Sequence, residues 1–222
     1  MPTNRESGSI FRFCRRHISA VGPSSRPPTG SMKDALHKSL KRIKMTRIYR
    51  SGVPEFKLRY FSKREAREVS DAASRMLGRE LTPLAELDSE GFALIVTREG
   101  LVLVGIPEEN IYVPTLTDAD SVAGIKGHVV VDEGAVRHVV NGANVMRPGI
   151  KEYTDFEAGD IVVVKEGVYG KPIAVGVALV PSRELASMSK GAVVRNVHHL
   201  RDGAWELLHD EDAKRLINKL VK

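Results

Sequence analysis

Glutamine is absent from this chain of 222 residues, and cysteine and tryptophan each occur once. A single cysteine, Cys14, excludes a disulfide bond within the chain and favours a reducing compartment, so we expect a cytoplasmic protein. The lack of glutamine, together with only six asparagines, is typical of proteins from thermophiles, because amide side chains are thermolabile. No apolar run approaches about 20 residues, so we expect no helix that spans a membrane.

Signatures of catalysis and of metal binding are also missing from the sequence. It contains no cysteine pair, no His-x-x-x-His pair and no carboxylate cluster at the spacing of metal ligands. It contains neither a phosphate loop nor a nucleophile elbow. The adjacent His198 and His199 would point to opposite faces of a strand and would not easily share one metal ion. The sequence therefore predicts a protein without a metal site, a cofactor or an enzymatic activity.

Positive charge is concentrated in the first third of the chain. Residues 1–70 contain 17 Lys and Arg against 5 Asp and Glu, whereas residues 71–222 contain 17 against 23. This asymmetry favours a polyanionic partner, although a solvated basic helix has the same composition. Apolar residues at helical spacing predict a basic amphipathic helix over residues 32–49, with an apolar face too narrow for membrane insertion. Its cations are Lys33, Lys38, Lys41, Arg42, Lys44 and Arg47.

The remaining composition divides the chain into segments. Residues 1–31 are rich in Pro, Ser, Gly and Arg, which predicts a disordered basic arm and leaves open whether translation starts at Met1 or Met32. Residues 32–126 are expected to form a small α/β domain. Within it, alternation predicts strands over residues 56–61, 92–97 and 101–105, and a helix that begins at the capping box of Ser62 and ends at Gly78. Residues 206–222 are expected to form a helix, starting at Asp210, that packs on the body.

Residues 129–150 are the most informative stretch. Three valines predict a strand over residues 129–131, Asp132 can cap a helix that runs to about Val140, and Asn141-Gly142 ends it. The small side chains of residues 141–144 are expected to leave backbone N–H groups exposed, so that a phosphate backbone can approach closely beside Arg147. A loop of this kind, taken alone, is more often a plain tight turn.

The downstream order of motifs resembles a PUA domain, an RNA-binding module named after pseudouridine synthases and archaeosine transglycosylases. The matching features, in chain order, are Gly-Ala-Asn-Val-Met-Arg-Pro-Gly-Ile (142–150), Ala-Gly-Asp-Ile-Val (158–162), Ala-Val-Gly-Val-Ala (174–178), Lys-Gly-Ala-Val-Val (190–194) and His198-His199. Residues 142–149, 112–116 and 196–205 also look like the malignant T-cell amplified sequence family and its archaeal relatives. One departure is His199, where that family often has tyrosine.

This resemblance implies an α+β fold, in which the α/β domain of residues 32–126 precedes a PUA-like β-barrel over residues 127–205. It further implies non-catalytic binding of ribosomal RNA or initiator tRNA at the small ribosomal subunit, in translation initiation, reinitiation or ribosome recycling. The same resemblance implies a partner similar to the density-regulated protein. Two other functions stay open from the sequence, namely an accessory subunit that guides an RNA-modifying enzyme and a protein-interaction adaptor.

Carried over by motif, the expected RNA contacts lie in one loop and on nearby strands. They are Gly142, Ala143, Asn144, Met146, Arg147, Pro148 and Gly149, with Lys165, Lys190 and His199 lining the same surface. Asp160 and Trp205 are expected to be structural, as a turn residue and a core aromatic.

Overall fold

Two six-stranded sheets form most of the described chain, which in this computed structural model comprises residues 46–48, 54–117, 125 and 127–222. The arm predicted over residues 1–31 lies outside the described residues. So do most of the basic helix predicted over residues 32–49 and most of the connection between the two sheets.

The first sheet is an antiparallel meander in which each strand pairs with the next along the chain. Its strands are β1 (Thr46–Ile48), β2 (Phe56–Tyr60), β3 (Pro83–Ser89), β4 (Phe92–Thr97), β5 (Val102–Ile106) and β6 (Ile111–Pro114). Helix α1 (Lys63–Leu77) packs on β3 and β6. It begins at the predicted capping box, because Ser62 and Glu65 each accept a hydrogen bond from the other's backbone N–H. It ends, as predicted, at Gly78 in the left-handed region with φ 66°.

Two strands of this sheet differ from the sequence-based prediction. Thr46–Ile48 pairs with β2 as a strand, so the helix predicted over residues 32–49 is wrong at its C-terminal end. Pairing with the next strand, β2, overrides local helical spacing there. The sequence pattern also does not predict β3, where a charged residue interrupts the apolar run. That residue, Glu86, is 5% exposed, and burial raises the pKa of its carboxyl although Arg59 donates to it from Nε at 2.6 Å.

The second sheet is a nearly closed barrel, as predicted. Its strands are β7 (Gly127–Val131), β8 (Val145–Met146), β9 (Ile150–Tyr153), β10 (Ile161–Glu166), β11 (Pro172–Ala178) and β12 (Ala192–His199). Their spatial order is β8-β12-β11-β10-β7-β9, so β8 and β9 are the edges. These two edges are consecutive in the chain and are separated only by the 3-10 turn Arg147–Gly149. Because that turn brings the edges together, the sheet curls round on itself.

Strand β10 shows how the two sheets share apolar packing. Val162 and Val164 belong to the core inside the barrel, whereas Ile161 and Val163 pack into the core of the first sheet. This division follows from the two-residue period of a strand. One outer face of the barrel is therefore buried against the first sheet, and a ligand must use other surfaces.

Two helices follow the barrel and pack towards the first sheet. Helix α3 (Gly203–His209), which the sequence pattern does not predict, contacts β4 and β12. Helix α4 (Glu211–Val221) begins at the predicted cap Asp210 and also contacts β4. Within residues 54–117 and 127–222, no helix is long and apolar enough to cross a membrane.

Candidate nucleic-acid interface

Helix α2 (Glu133–Val139) and the turn that follows it form the centre of the candidate interface. Asp132 caps the helix as predicted, since its carboxylate accepts from the N–H of Ala135 at 2.8 Å. The chain then turns at Gly142, which has φ 88°. Residues 141–144 are all exposed, which places this turn on the surface of the barrel.

The backbone N–H groups of the turn are not free, in contrast to the prediction. The N–H groups of Asn141 and Ala143 donate to the carbonyl oxygen of His138 at 3.2 and 3.0 Å, and the N–H of Gly142 donates to Val139 at 3.0 Å. These bonds satisfy the last carbonyl groups of α2, as glycine turns at helix ends commonly do. The prediction of exposed amides is therefore wrong for these three residues, and the turn is a rigid, closed loop.

Two asparagines tie this turn to strand β12. Oδ1 of Asn144 accepts from the N–H of Asn196 at 3.0 Å. Nδ2 of Asn196 donates in return to the carbonyl oxygens of Val139 and Ala143 at 2.8 and 3.1 Å. The turn thus has a defined position against the barrel before any ligand binds.

Gly142 and His199 lie directly against each other on this surface. A Cβ atom added to Gly142 would lie 3.2 Å from Nε2 of His199, tighter than ordinary contact. Nδ1 of His199 is held 3.0 Å from the carbonyl oxygen of Leu200, so Nδ1 is the donor and Nε2 is left as an acceptor in the neutral ring. The structure therefore brings together two of the predicted RNA contacts, one backbone and one aromatic.

Arg147 has a different environment from the one predicted. Its Nε donates to the carbonyl oxygen of Leu185 at 2.6 Å, and one terminal nitrogen donates to the carbonyl oxygen of Ile150 at 3.2 Å. Its own N–H donates to the carbonyl oxygen of Gly191 at 2.8 Å. Since Arg147 stands in the turn between the edge strands β8 and β9, these bonds fasten the barrel where its edges meet.

The other predicted residues are spread along the barrel. Met146 is 49% exposed on β8, Pro148 is exposed, and Lys165 is half-buried near the end of β10. Lys190 precedes β12, whereas His199 ends it, and a strand of eight residues spans roughly 25 Å. The structure therefore does not bring Lys190 and His199 together.

Two exposed arginines are close in sequence to Gly142 and His199 and were not among the predicted contacts. Arg137 lies in the last turn of α2, immediately before the Gly142 turn. Arg201 follows His199 by two residues and has φ 65°, unusual for a residue with a side chain. In the described part of the chain neither guanidinium is paired with a carboxylate. The sequence alone could have identified Arg137 as exposed, because it occupies a polar position on an amphipathic helix. It could not have done so for Arg201, whose exposure depends on the conformation of the turn.

A tight turn after β12 holds His199 and Arg201 in place. Oδ2 of Asp202 accepts from the N–H of His199 at 2.8 Å and lies 2.8 Å from Nδ1 of the fully buried His198. Oδ1 accepts from the N–H of Trp205 at 2.7 Å. Burial raises the pKa of the Asp202 carboxyl, but these hydrogen bonds outweigh burial and hold the pKa below its ordinary value. His198 is fully buried whereas His199 is half-buried, and Asp202 links both to α3.

The residues predicted to be structural have such roles. Asp160 accepts from the N–H of Glu157 at 2.9 Å in the turn before β10. Trp205 is half-buried against the first core and stacks on His209 with ring centroids 4.2 Å apart. Among the residues that the structure describes, no group of three or more His, Cys, Asp or Glu side chains is placed to hold a metal ion.

Comparison with known proteins places this barrel in a family of domains. The sequence profile of the PUA domain matches residues 127–200. An uncharacterized protein of Methanocaldococcus jannaschii is 40% identical over 81 residues, covering 36% of this chain and 50% of that protein. Malignant T-cell-amplified sequence 1-B of Xenopus laevis is 30% identical over 118 residues, covering 51% and 65%. Translation machinery-associated protein 20 of Schizosaccharomyces pombe is 25% identical over 130 residues, covering 56% and 72%.

Similarity to a solved structure extends beyond the barrel. A PUA domain from Aeropyrum pernix K1, crystallised as a tartrate complex, has a TM-score of 0.58 and 26% identity, covering 74% of this chain and 98% of that chain. The chain therefore contains a PUA domain and resembles the malignant T-cell-amplified sequence proteins. The matches span half to about two thirds of the length of the first two curated relatives.

Proposed function

We propose that this PUA-containing chain is a non-catalytic RNA-binding protein that acts on ribosomal RNA or initiator tRNA at the small ribosomal subunit. The setting is translation initiation, reinitiation or ribosome recycling. The resemblance to the malignant T-cell-amplified sequence proteins and the name of the Schizosaccharomyces relative, translation machinery-associated protein 20, support this setting. A partner similar to the density-regulated protein belongs to the same proposal.

The observation that carries RNA binding is the rigid Gly142 turn set against His199. The glycine has no side chain, so a sugar-phosphate backbone can approach the turn closely. His199 offers an aromatic ring and an acceptor at Nε2 within the same small surface. The turn is held by its own hydrogen bonds and by Asn196, so little conformational entropy is lost when RNA binds.

Charged groups at this surface have separate roles in the proposal. Arg137 and Arg201 supply the guanidinium contacts to phosphate, because both are exposed and each is close in sequence to Gly142 or His199. Arg147 positions the turn and β8 through its hydrogen bonds to the carbonyl oxygens of Leu185 and Ile150. Only its second terminal nitrogen is left to contact RNA. The predicted contacts Ala143, Asn144, Met146, Pro148 and Gly149 complete the surface along β8.

The basic segment adds a second, weaker attraction. Lys33, Lys38, Lys41, Arg42, Lys44 and Arg47 supply long-range attraction for any RNA, independent of its sequence. Lys165 and Lys190 act in the same way from the barrel. These cations increase affinity and association rate, whereas the Gly142 surface determines where the RNA lies.

A charge-reversal experiment with a matched control tests this proposal. The full chain carrying Arg137→Glu and Arg201→Glu should bind tRNA and small ribosomal subunits at least about tenfold more weakly, because two charge-assisted hydrogen bonds become repulsive. The control is Arg67→Glu with Arg98→Glu, two exposed arginines of the first sheet region, which changes net charge equally. The control should retain most of the parent's affinity.

The possible results separate the functions that the sequence leaves open. Equal losses in both double variants would show that the contacts are diffuse and that the Gly142 surface is not the site. A parent protein that binds neither tRNA nor subunits at low salt would favour the protein-interaction adaptor. Purification from the native host with an RNA-modifying enzyme, and without ribosomal subunits, would favour the accessory subunit.

A further inference from the structure

The hairpin between β10 and β11 presents two neighbouring apolar side chains to solvent. Val168 is 68% exposed and Tyr169 is 80% exposed, which makes them the two most exposed large hydrophobic residues of the described chain. Single exposed apolar residues are common on protein surfaces. Two adjacent exposed apolar residues at the tip of a hairpin form a small apolar surface, which is less common and suggests a contact with a partner.

The backbone of this tip is held in one conformation. The carboxylate of Glu166 accepts from the N–H groups of Val168 and Tyr169, both at 2.7 Å, and from the N–H of Lys171 at 3.2 Å. The N–H of Glu166 donates to the carbonyl oxygen of Lys171 at 3.0 Å, and Gly170 completes the turn with φ 66°. The tip is therefore ordered before it meets a partner, which lowers the entropic cost of binding.

One cation lies over a face of the Tyr169 ring. Nζ of Lys171 is 5.7 Å from the centroid of the Tyr169 ring. The side chain of Lys151 reaches the base of the hairpin, where its Cδ is 3.9 Å from the position of a Cβ on Gly167. The ring is 80% exposed, so a nucleobase can stack on the face opposite Lys171, and the Lys171 cation can bind a phosphate next to that base.

The hairpin also lies at the same end of the barrel as the Gly142 surface. Strand β12 ends at His199, which pairs with Ala174 near the start of β11. The N–H of Leu200 donates to the carbonyl oxygen of Ile173 at 3.0 Å. The hairpin of residues 166–171 extends from β10 and β11 beyond this rim.

We propose that the hairpin tip of residues 166–171 is a second RNA contact, in which Tyr169 stacks on an unpaired base and Lys171 binds the adjacent phosphate. This inference rests on the proposed RNA-binding function and adds a substrate class to it. RNA with a single-stranded segment next to the part held by the Gly142 surface is preferred over a continuous duplex, since paired bases already stack on each other.

The test compares single-stranded and duplex RNA of the same length, by fluorescence anisotropy with the full chain. Tyr169→Ala should weaken binding of the single strand by about fivefold or more, the loss expected for one base–aromatic stack. Tyr169→Trp should restore it, and duplex binding should change by less than about twofold. Tyr60→Ala is the matched control, because Tyr60 is 52% exposed on the first sheet, and it should bind like the parent. Glu166→Ala should lose part of the affinity although Tyr169 is intact, since the tip is no longer held.

The outcomes distinguish this inference from the proposed function. If Tyr169→Ala binds both RNAs like the parent while the Arg137/Arg201 variant does not, RNA binding stands and the tip is not part of the site. Equal losses for single-stranded and duplex RNA would exclude stacking on an unpaired base. If Tyr169→Ala retains RNA affinity but no longer binds a partner protein, the tip is a protein contact. A parent that binds no RNA would overturn the proposed function itself.

Discussion

Nε of Arg147 donates a hydrogen bond of 2.6 Å to the carbonyl oxygen of Leu185, 38 residues further along the chain. A second nitrogen of the same guanidinium donates to Ile150, the first residue of β9. The residue thus joins the turn between the barrel's edge strands to the segment before β12. A planar guanidinium suits this role because it presents several donors in a fixed geometry.

Arg147→Ala should lower the free energy of unfolding by about 1–3 kcal/mol, because two partly buried carbonyl groups lose their partner. Arg147→Lys should recover little of this loss, since an ammonium group lacks the planar fork. Urea unfolding of the full chain measures both. Arg183→Ala is the control, because its ion pair with Glu157 is exposed, and should cost less than about 1 kcal/mol. An Arg147→Ala protein of unchanged stability that no longer binds RNA would show that the residue acts on the ligand instead.

Gly142→Ala should destabilise the protein for two separable reasons. A side chain at φ 88° costs about 1–2 kcal/mol by itself, and the added Cβ also presses on His199. Gly159→Ala is the control for the first term, since Gly159 has φ 91° with nothing within 4 Å of the added Cβ. In a His199→Ala background, Gly142→Ala should destabilise the protein only as much as Gly159→Ala does, because the contact with His199 is gone while the strained φ remains. If Gly142→Ala and Gly159→Ala lower the free energy of unfolding equally in the parent, the His199 side chain moves aside without cost.

The Asp202 carboxyl should make stability depend on acid pH. Its folded-state pKa lies below its ordinary value, so its contribution is fully present above the unfolded pKa of about 3.9 and is lost as pH falls through the folded pKa. Asp202→Asn should therefore cost about 1–3 kcal/mol at pH 7, and its difference from the parent should shrink below pH ~4. Urea unfolding from pH 3 to pH 7 measures this. A difference that stays constant over that range would show that the charge of Asp202 does not matter.

The basic segment should affect the salt dependence of binding rather than its location. Replacing Lys41, Arg42 and Lys44 together with Gln should weaken tRNA and ribosomal RNA alike, because fewer counterions are released on binding. The slope of log affinity against log salt should become shallower by up to about 0.7–0.9 for each lost contact. The Arg137/Arg201 variant provides the comparison within the barrel. An unchanged slope would assign the electrostatic contacts to the barrel alone.

Local signals in the sequence predicted many elements of the fold. Helix caps and turns depend on interactions between residues that are close in sequence, so they can be predicted without the structure. Examples are the capping box of Ser62 and Glu65, the cap Asp132 and the turn at Gly142. Strand β1 pairs with a segment about ten residues away. Strand β3 contains a buried glutamate, Glu86, whose carboxylate accepts a hydrogen bond from Arg59 on the neighbouring strand. Such features depend on tertiary partners, and the sequence pattern does not show them.

The turn at Gly142 was predictable from the sequence, but the contacts around it were not. The Asn141-Gly142 pattern predicted the turn that the structure shows, and the resemblance predicted His199 on the same surface, where it contacts Gly142. The sequence does not show that the amides of residues 141–143 close the end of α2, or that the carbonyls of Leu185 and Ile150 lie within reach of Arg147. The large distance between Lys190 and His199, by contrast, follows from the length of β12, so the predicted strand already indicated that these two residues lie at opposite ends of it.

The location of bound RNA on the barrel is the most direct test of the proposed RNA surface around Gly142 and His199. The measurement is a map of backbone amide chemical shifts of the isotope-labelled full chain during titration with unlabelled tRNA. We expect the largest changes in residues 137–144 and 199–201, with smaller changes in the basic segment. Changes confined to the strands of the first sheet, or no change at saturating tRNA, would contradict this proposal.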